Sequence, residues 1–196
     1  QAPPANWRDG TFDDSGWESG RTGIGYGDND DNTELDDMRN NYLTVFCRKT
    51  FNVTNIEDIN ELILSITVDD GFYAYINGVQ VASYNVNSPD WDAAASGAGE
   101  PTLVERTLEN PGAVLRLGQN VLAVQVHNGN LSSSDLSFIP RLVDRTTTFV
   151  DGSEQLTNGS FNSNTRGWML EGTHWRSGRT TIDPIDGAGS LKVVAA

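Results

Sequence analysis

The regular alternation of side chains from Glu61 to Val68 constrains the fold of this chain more than any other feature. Apolar residues occupy every second position, namely Leu62, Leu64, Ile66 and Val68. Successive side chains of a β-strand point to opposite faces of a sheet, so the pattern predicts a strand with one buried face. No segment of the sequence shows the sustained stripe of an amphipathic helix. The chain is therefore predicted to be all-β.

Turn signals follow this strand and separate it from two further apolar runs. Asp69-Asp70-Gly71 comes before Phe72–Ile76, and Asn77-Gly78 comes between Phe72–Ile76 and Val79–Val81. Asp-Gly and Asn-Gly tolerate positive φ, which is typical of tight hairpin turns. We therefore predict a three-stranded antiparallel meander within residues 61–84.

Other strands are predicted at 45–53, 102–108, 121–126 and 136–143. In the first of these, Lys49 interrupts an otherwise apolar face formed by Val45, Cys47, Phe51 and Val53. In the last, Pro140 interrupts the strand. Strands at this spacing, joined by turn residues, indicate an antiparallel β-sandwich.

The chain divides into three parts on this interpretation. Residues 1–143 form the sandwich, residues 144–152 are a linker, and residues 153–196 contain a partial second β-unit. Roughly 45 residues of strand signal are marginal for an autonomous domain. The last part is therefore either the opening of a second sandwich or a set of strands that docks on the first one or on a neighbour.

Charge and composition exclude several classes of partner. The chain has 13 basic and 27 acidic residues, and its formal net charge is −14. Phosphate binding requires clustered Lys and Arg, so we predict no nucleic-acid partner. The longest apolar run, Val121–Val126, is too short to cross a bilayer, so no membrane insertion is predicted. A single cysteine, Cys47, excludes an intrachain disulfide.

Several runs of the sequence match one known family in order and spacing. They are Phe12–Trp17, Gly23–Gly27, Phe46–Phe51, Val68–Gly78, Gly118–Asn128 and Ser133–Phe138. These runs resemble the galactose-binding-like jelly-roll modules of exported bacterial multidomain surface proteins, the type associated with lamin-tail-like and spore-coat-kinase-like regions. The tail, with Asn158–Phe161 and Gly189–Val193, resembles the start of a carbohydrate-binding-module-like jelly roll. The resemblance implies a jelly-roll fold and an extracellular or cell-surface location.

Aromatic and amide side chains offer a candidate ligand site. Sugar binding usually combines an aromatic platform with polar groups that orient the hydroxyls. The candidates are Tyr73, Tyr75, Asn77, Tyr84, Trp91 and Asn128. Most aromatic residues of a sandwich serve packing, and Trp7 and Trp17 are assigned to the core. Trp91 stands alone in the aperiodic loop 85–101, where both packing and ligand contact remain open.

An acidic loop offers a candidate metal site. The alternating oxygen ligands would be Asp28, Asp30, Asn32 and Glu34. Calcium takes six to eight oxygen ligands, so this composition suits Ca²⁺, although the spacing is not that of an EF-hand. The alternative is a solvated acidic loop. The family resemblance adds that these sandwiches often carry one structural calcium near such a loop.

Nothing in the sequence indicates catalysis. No hydrolase or P-loop motif occurs. Asp69 and Asp70 are interpreted as turn residues, because neighbours on a strand point in opposite directions. His127 is interpreted as a hydrogen-bonded structural residue near Asn128 and Asp135, and Cys47 as a buried apolar one.

The predicted function is therefore that of a non-catalytic carbohydrate-recognition or adhesion module within a larger exported protein. Its partners would be a glycan or neighbouring protein domains. The alternative is a structural spacer or self-assembly module that binds no glycan and whose edge strands pair with neighbouring domains or copies.

Overall fold

A computed structural model of the chain describes residues 2–145, 156–157 and 189–192. Its strands, in chain order, are β1 (Ser19–Gly20), β2 (Ile24–Tyr26), β3 (Thr33–Glu34), β4 (Thr44–Val53), β5 (Glu61–Asp69), β6 (Gly71–Ile76), β7 (Val79–Tyr84), β8 (Thr102–Leu108), β9 (Gly118–His127), β10 (Leu136–Arg145), β11 (Leu156–Thr157) and β12 (Gly189–Lys192). A short 3-10 helix covers Pro111–Ala113. The described residues include no helix long and apolar enough for a membrane span.

The strands form two sheets. The larger has the order β1-β12-β4-β9-β6-β7, with β11 also paired to β4, and the smaller has the order β3-β2-β10-β5-β8. Neighbouring strands are antiparallel apart from the parallel pair β2 and β3. The prediction of an all-β sandwich is confirmed.

The alternation in β5 produces one wall of the core. Its inward side chains, Leu62, Leu64, Ile66 and Val68, are at most 1% exposed. They belong to the same buried cluster as the inward residues of the larger sheet, among them Val45, Cys47, Phe51, Val53, Leu122, Val124 and Val126. The period-two patterns of β4, β5 and β9 therefore place the core between the sheets.

The predicted meander is wrong at its first turn. β5 lies in the smaller sheet and β6 in the larger one, so Asp69-Asp70-Gly71 carries the chain across the sandwich. Gly71 has no positive φ. A Cβ there would lie 2.7 Å from the Asn85 carbonyl oxygen, so the glycine is needed for close approach. The Asn77-Gly78 hairpin is confirmed, with φ of 51° and 85°.

The predicted interruption at Pro140 is also wrong. β10 runs without a break through Pro140 and is the central strand of the smaller sheet. Pro140 pairs with Ile66 of β5, whereas β2 pairs with β10 only over Leu136–Phe138. Within the part of the chain that the structure describes, Pro140 thus has a strand neighbour on one side only, a position at which strands tolerate proline.

The described part of the tail extends the larger sheet. β11 pairs with β4 at Val53 and Asn52, and β12 pairs with it from Arg48 to Phe46. Most of the predicted linker 144–152 and of the predicted second unit 153–196 lies outside the described residues, and that division stays a prediction.

Lys49 of β4 lies on the predicted apolar face and is only 5% exposed. Burial lowers the pKa of its ammonium group from 10.5 to about 7. The unfolded chain therefore binds more protons than the folded one between these two pH values, and this group makes stability rise with pH there.

We expect the free energy of unfolding of the wild type to rise between pH 7 and pH 10 relative to that of Lys49→Met. The difference grows by at most about 1.4 kcal/mol per pH unit. Urea unfolding of both proteins at four pH values measures this difference in the free energy of unfolding. The contributions of titratable groups that both proteins share cancel in the difference. Two parallel pH profiles would contradict the lowered pKa.

Candidate functional site

A second apolar cluster covers the outer face of the larger sheet. It contains the buried residues Trp7, Trp17, Phe46, Tyr73, Tyr75 and Ala123, with Phe12, Val86 and Trp91 packed against it. The outward positions of β4, β6 and β9 provide its floor. Trp7 and Trp17 are buried as predicted, but in this outer cluster and not between the sheets.

Arg48 fastens the N-terminal segment to this face. Its guanidinium is buried; Nε donates to Asp14 Oδ2 at 2.9 Å, and Nη1 donates to the carbonyl oxygens of Trp7 and Asp9. The same group lies 5.0 Å from the ring centroid of Phe12. One buried cation thus fixes the segment through charge-assisted bonds and an aromatic contact.

The N-terminal segment and the loop 85–101 enclose a cleft of about 200 Å³ above the cluster. Its lining residues are Ala2, Pro3, Ala5, Trp7, Arg8, Phe46, Pro89, Asp90, Trp91 and Gln125. The Arg8 guanidinium carbon lies 4.6 Å from the ring centroid of Tyr75. This stacking holds a cation beside the aromatic residues of the cleft.

Hydrogen bonds to the larger sheet position Trp91. Thr44 Oγ1 donates to the Trp91 carbonyl oxygen, and Gln125 Nε2 donates to the carbonyl oxygen of Pro89 at 3.1 Å. His127 Nδ1 lies 2.8 Å from the Ala93 carbonyl oxygen. The loop backbone is tied to β4 and β9, while the Trp91 side chain remains partly exposed.

The cleft therefore combines a flat apolar surface with opposite charges at its edge. Trp91 and Trp7 provide aromatic area, Arg8 provides hydrogen-bond donors, and Asp90 provides carboxylate acceptors. Asp90 Oδ2 accepts a hydrogen bond from Ser88 Oγ at 2.7 Å, which orients the carboxylate. This chemistry suits a small polyhydroxylated ligand with one apolar face.

The structure brings together only some of the predicted ligand residues. Trp91 lines the cleft, and Tyr75 lies beneath it, in edge contact with Trp7 at 6.0 Å. Tyr73 belongs to the same cluster and packs edge-on against His127. Tyr84 packs instead against the core between the sheets.

Asn77 and Asn128 lie outside the cleft and serve the fold. Asn77 Nδ2 donates to the Val114 carbonyl oxygen at 2.8 Å, and its Oδ1 accepts from the Val121 amide. Asn128 is buried, and its Nδ2 donates to the Tyr26 hydroxyl oxygen at 2.8 Å.

Two of the four predicted metal ligands come together with a third carboxylate. Carboxylate oxygens of Asp28, Asp30 and Asp31 lie within 4.8 Å of one another. Burial, followed by Asp30, Asp28 and Glu34, raises the pKa of Asp31 to about 7. The Asn32 amide donates to the Thr22 carbonyl oxygen at 2.7 Å, and Glu34 lies exposed on β3.

The turn at the end of β5 differs from the expectation that the Asp69 and Asp70 side chains diverge. Both residues are buried, and burial, followed by the adjacent Asp70 carboxyl, raises the pKa of Asp69 to about 8. Asp70 also accepts from the amides of Gly99 at 2.7 Å and Gly129 at 2.6 Å. Asp70 therefore caps two backbone amides.

Four site residues escape prediction from the sequence. They are Arg8, Asp90 and Gln125 of the cleft and Asp31 of the acidic cluster. Gln125 carries a usable signal, because it is a polar residue within the apolar run of β9. Arg8 and Asp90 carry no such signal, because they lie far apart in the sequence and come together only in the folded chain.

The chain matches no protein-family model, and it matches no curated protein. Among solved structures, it is similar to an α-L-rhamnosidase from Aspergillus terreus, with 20% identity and a TM-score of 0.41 over 73% of this chain. It is also similar to an α-L-rhamnosidase from Dictyoglumus thermophilum, with 16% identity and a TM-score of 0.41 over 78% of this chain. The matches span only 16% and 18% of those two chains.

Proposed function

We propose that the chain is a non-catalytic carbohydrate-recognition or adhesion module of a larger exported or cell-surface protein, and that the ligand binds in the Trp91 cleft. The observation that carries the proposal is the convergence of Trp91, Trp7, Arg8 and Asp90 on one cleft. The sequence resemblance to galactose-binding-like modules favours the same ligand class.

The titratable groups of the cleft favour binding over hydrolysis. Glycoside hydrolysis ordinarily uses two carboxyl groups on either side of the scissile bond. Among the lining residues that the structure describes, Asp90 is the one carboxylate. The neighbouring carboxyls of Asp69 and Asp70 are both buried, which removes them from contact with a polymeric substrate.

A glycan array followed by calorimetry tests the proposal. We expect Trp91→Ala to weaken binding of an array ligand by at least tenfold, because the stacking surface is lost, and Trp91→Phe to retain part of it. Leu103→Ala, an exposed residue on β8 of the other sheet, is the matched control and should bind like the wild type. Equal affinity of Trp91→Ala and wild type would contradict the site.

The second part of the proposal is a structural calcium in the acidic loop. Asp28 and Asp30, with Asp31, would hold the ion, which would neutralise their charge and order the loop. Supporting this, Asp31 Oδ2 is buried and has no hydrogen-bond partner within the described residues. Carboxylate oxygens are ligands that Ca²⁺ prefers.

We expect millimolar Ca²⁺ to raise the Tm of the chelator-treated protein by several degrees, because a ligand of the native state stabilises it. The shift should shrink in Asp30→Asn/Asp31→Asn. Differential scanning calorimetry measures both. A Tm that is the same with and without Ca²⁺ would argue for a merely solvated loop.

One observation favours the alternative of a self-assembling spacer. β8 is the outermost strand of the smaller sheet in the described residues, and Leu103 on it is 61% exposed. Such an edge can pair with another strand. Concentration-dependent association in light scattering that Leu103→Lys abolishes, with no glycan bound across the array, would favour the spacer.

A further inference from the structure

Two buried side-chain oxygens lie near the point where the chain crosses from β5 to β6. Asp69 and Asn128 are only 2% and 1% exposed. Asp69 Oδ2 and Asn128 Oδ1 are both buried without a hydrogen-bond partner among the described residues. A buried oxygen that has no donor destabilises the folded state, and more so when it is charged.

These oxygens belong to one small group of side chains. Asn128 donates through Nδ2 to the Tyr26 hydroxyl oxygen at 2.8 Å, and Tyr26 and Asp69 pair with the adjacent residues Leu136 and Ser137 of β10, one on each side of that strand. The residue after Asn128, Gly129, donates its amide to Asp70 Oδ2 at 2.6 Å. Asp69 directly precedes Asp70 in the chain, and the Asp70 carboxyl contributes to the raised pKa of Asp69.

Backbone amides orient the Asp70 carboxylate but leave part of its capacity to accept hydrogen bonds unused. Its two oxygens accept one amide each, from Gly99 at 2.7 Å and from Gly129 at 2.6 Å. An ionised carboxylate has about four acceptor positions, so others stay open. The amides fix the group as a preoriented ligand.

A proton or a metal ion would each reduce the charge repulsion between the Asp69 and Asp70 carboxylates. The two differ in what they offer the amide oxygen of Asn128. A proton shared by Asp69 and Asp70 leaves the amide oxygen of Asn128 without a donor. A cation contacts carboxylate and amide oxygens alike. A buried water would also supply a donor to this oxygen, but a cation satisfies it and offsets the charge of both carboxylates at once, so we favour the cation.

We propose that the Asp69 and Asp70 carboxylates and the Asn128 amide oxygen bind Ca²⁺ at the crossing between the two sheets. The ligand set contains only oxygens and includes a neutral carbonyl, as Ca²⁺ sites do, whereas copper, nickel and zinc favour nitrogen or sulfur ligands. This site is separate from the acidic loop of Asp28, Asp30 and Asp31, and it does not depend on the glycan proposal.

Calcium titration calorimetry on Asp30→Asn/Asp31→Asn tests this site without the acidic loop. We expect one Ca²⁺ to bind per chain in this background, and the further change Asp69→Asn to weaken binding at least twentyfold. Asn128→Asp, which keeps an oxygen ligand and adds charge, is expected to bind at least threefold more tightly. Far-UV circular dichroism verifies that each variant is folded.

Two results would overturn the proposal. One is the absence of Ca²⁺ binding by folded Asp30→Asn/Asp31→Asn, a measurement that needs no change at Asp69. The other is an affinity that neither Asp69→Asn nor Asn128→Asp alters. A calcium-free Tm raised by Asp69→Asn, in a protein that does not respond to Ca²⁺, would identify a shared proton in its place.

Discussion

Replacing Gly25 with alanine is expected to lower the free energy of unfolding by more than about 4 kcal/mol. A Cβ at this position would lie 1.7 Å from the Leu136 carbonyl oxygen and 2.8 Å from Asp31 Oδ1. The clash is with backbone that cannot move freely, because β2 and β10 are paired in register from Leu136 to Phe138. Urea unfolding of the two proteins measures the effect.

Gly16→Ala is the matched control for this prediction. Among the described residues, and apart from its own chain neighbours, no heavy atom lies within 4 Å of the Cβ position of Gly16, so the stability of this variant should stay within about 0.5 kcal/mol of the wild type. If Gly25→Ala is as stable as Gly16→Ala, the pairing of β2 with β10 is wrong.

Arg48→Met is expected to cost about 3 kcal/mol, because it removes a buried cation from several acceptors at once. Asp14 loses its ion-pair partner, and the carbonyl oxygens of Trp7 and Asp9 lose their donor. The N-terminal segment should then open, which exposes Trp7 and dismantles one wall of the cleft.

Urea unfolding and the rate of proteolysis within residues 2–18 both report this change. Arg106→Met, at an exposed position on β8, is the control and should leave both unchanged. A variant at Arg48 with wild-type stability and unaltered proteolysis would show that the segment is held by apolar packing alone.

Period-two patterns predicted the sandwich because the alternation that marks a buried sheet face is visible within the sequence of a single strand. The alternation of Leu62, Leu64 and Ile66 identified an inward face without knowledge of the partner strand. The crossing at Asp69-Asp70-Gly71 was missed, because a glycine needed for close approach looks the same in sequence as one needed for a turn. Only tertiary contacts, here with Asn85, separate the two cases.

The sequence predicted the candidate site only at Trp91, whose own sequence context is unusual. Trp91 stood out as an isolated aromatic in a long polar loop, and it does line a cleft. Arg8 and Gln125 come from chain-distant segments whose meeting no local pattern encodes. Asn77 was chosen for its amide, but the hairpin and the Val114 carbonyl use that group.

The indole N–H signals of the five tryptophans provide the most direct test of ligand recognition at the cleft. In a ¹H–¹⁵N spectrum recorded during titration with an array ligand, the Trp91 cross-peak, assigned through Trp91→Phe, should shift furthest. Trp17, which lies in the outer cluster but does not line the cleft, should stay nearly still. A stationary Trp91 signal while other regions of the spectrum respond would contradict the account.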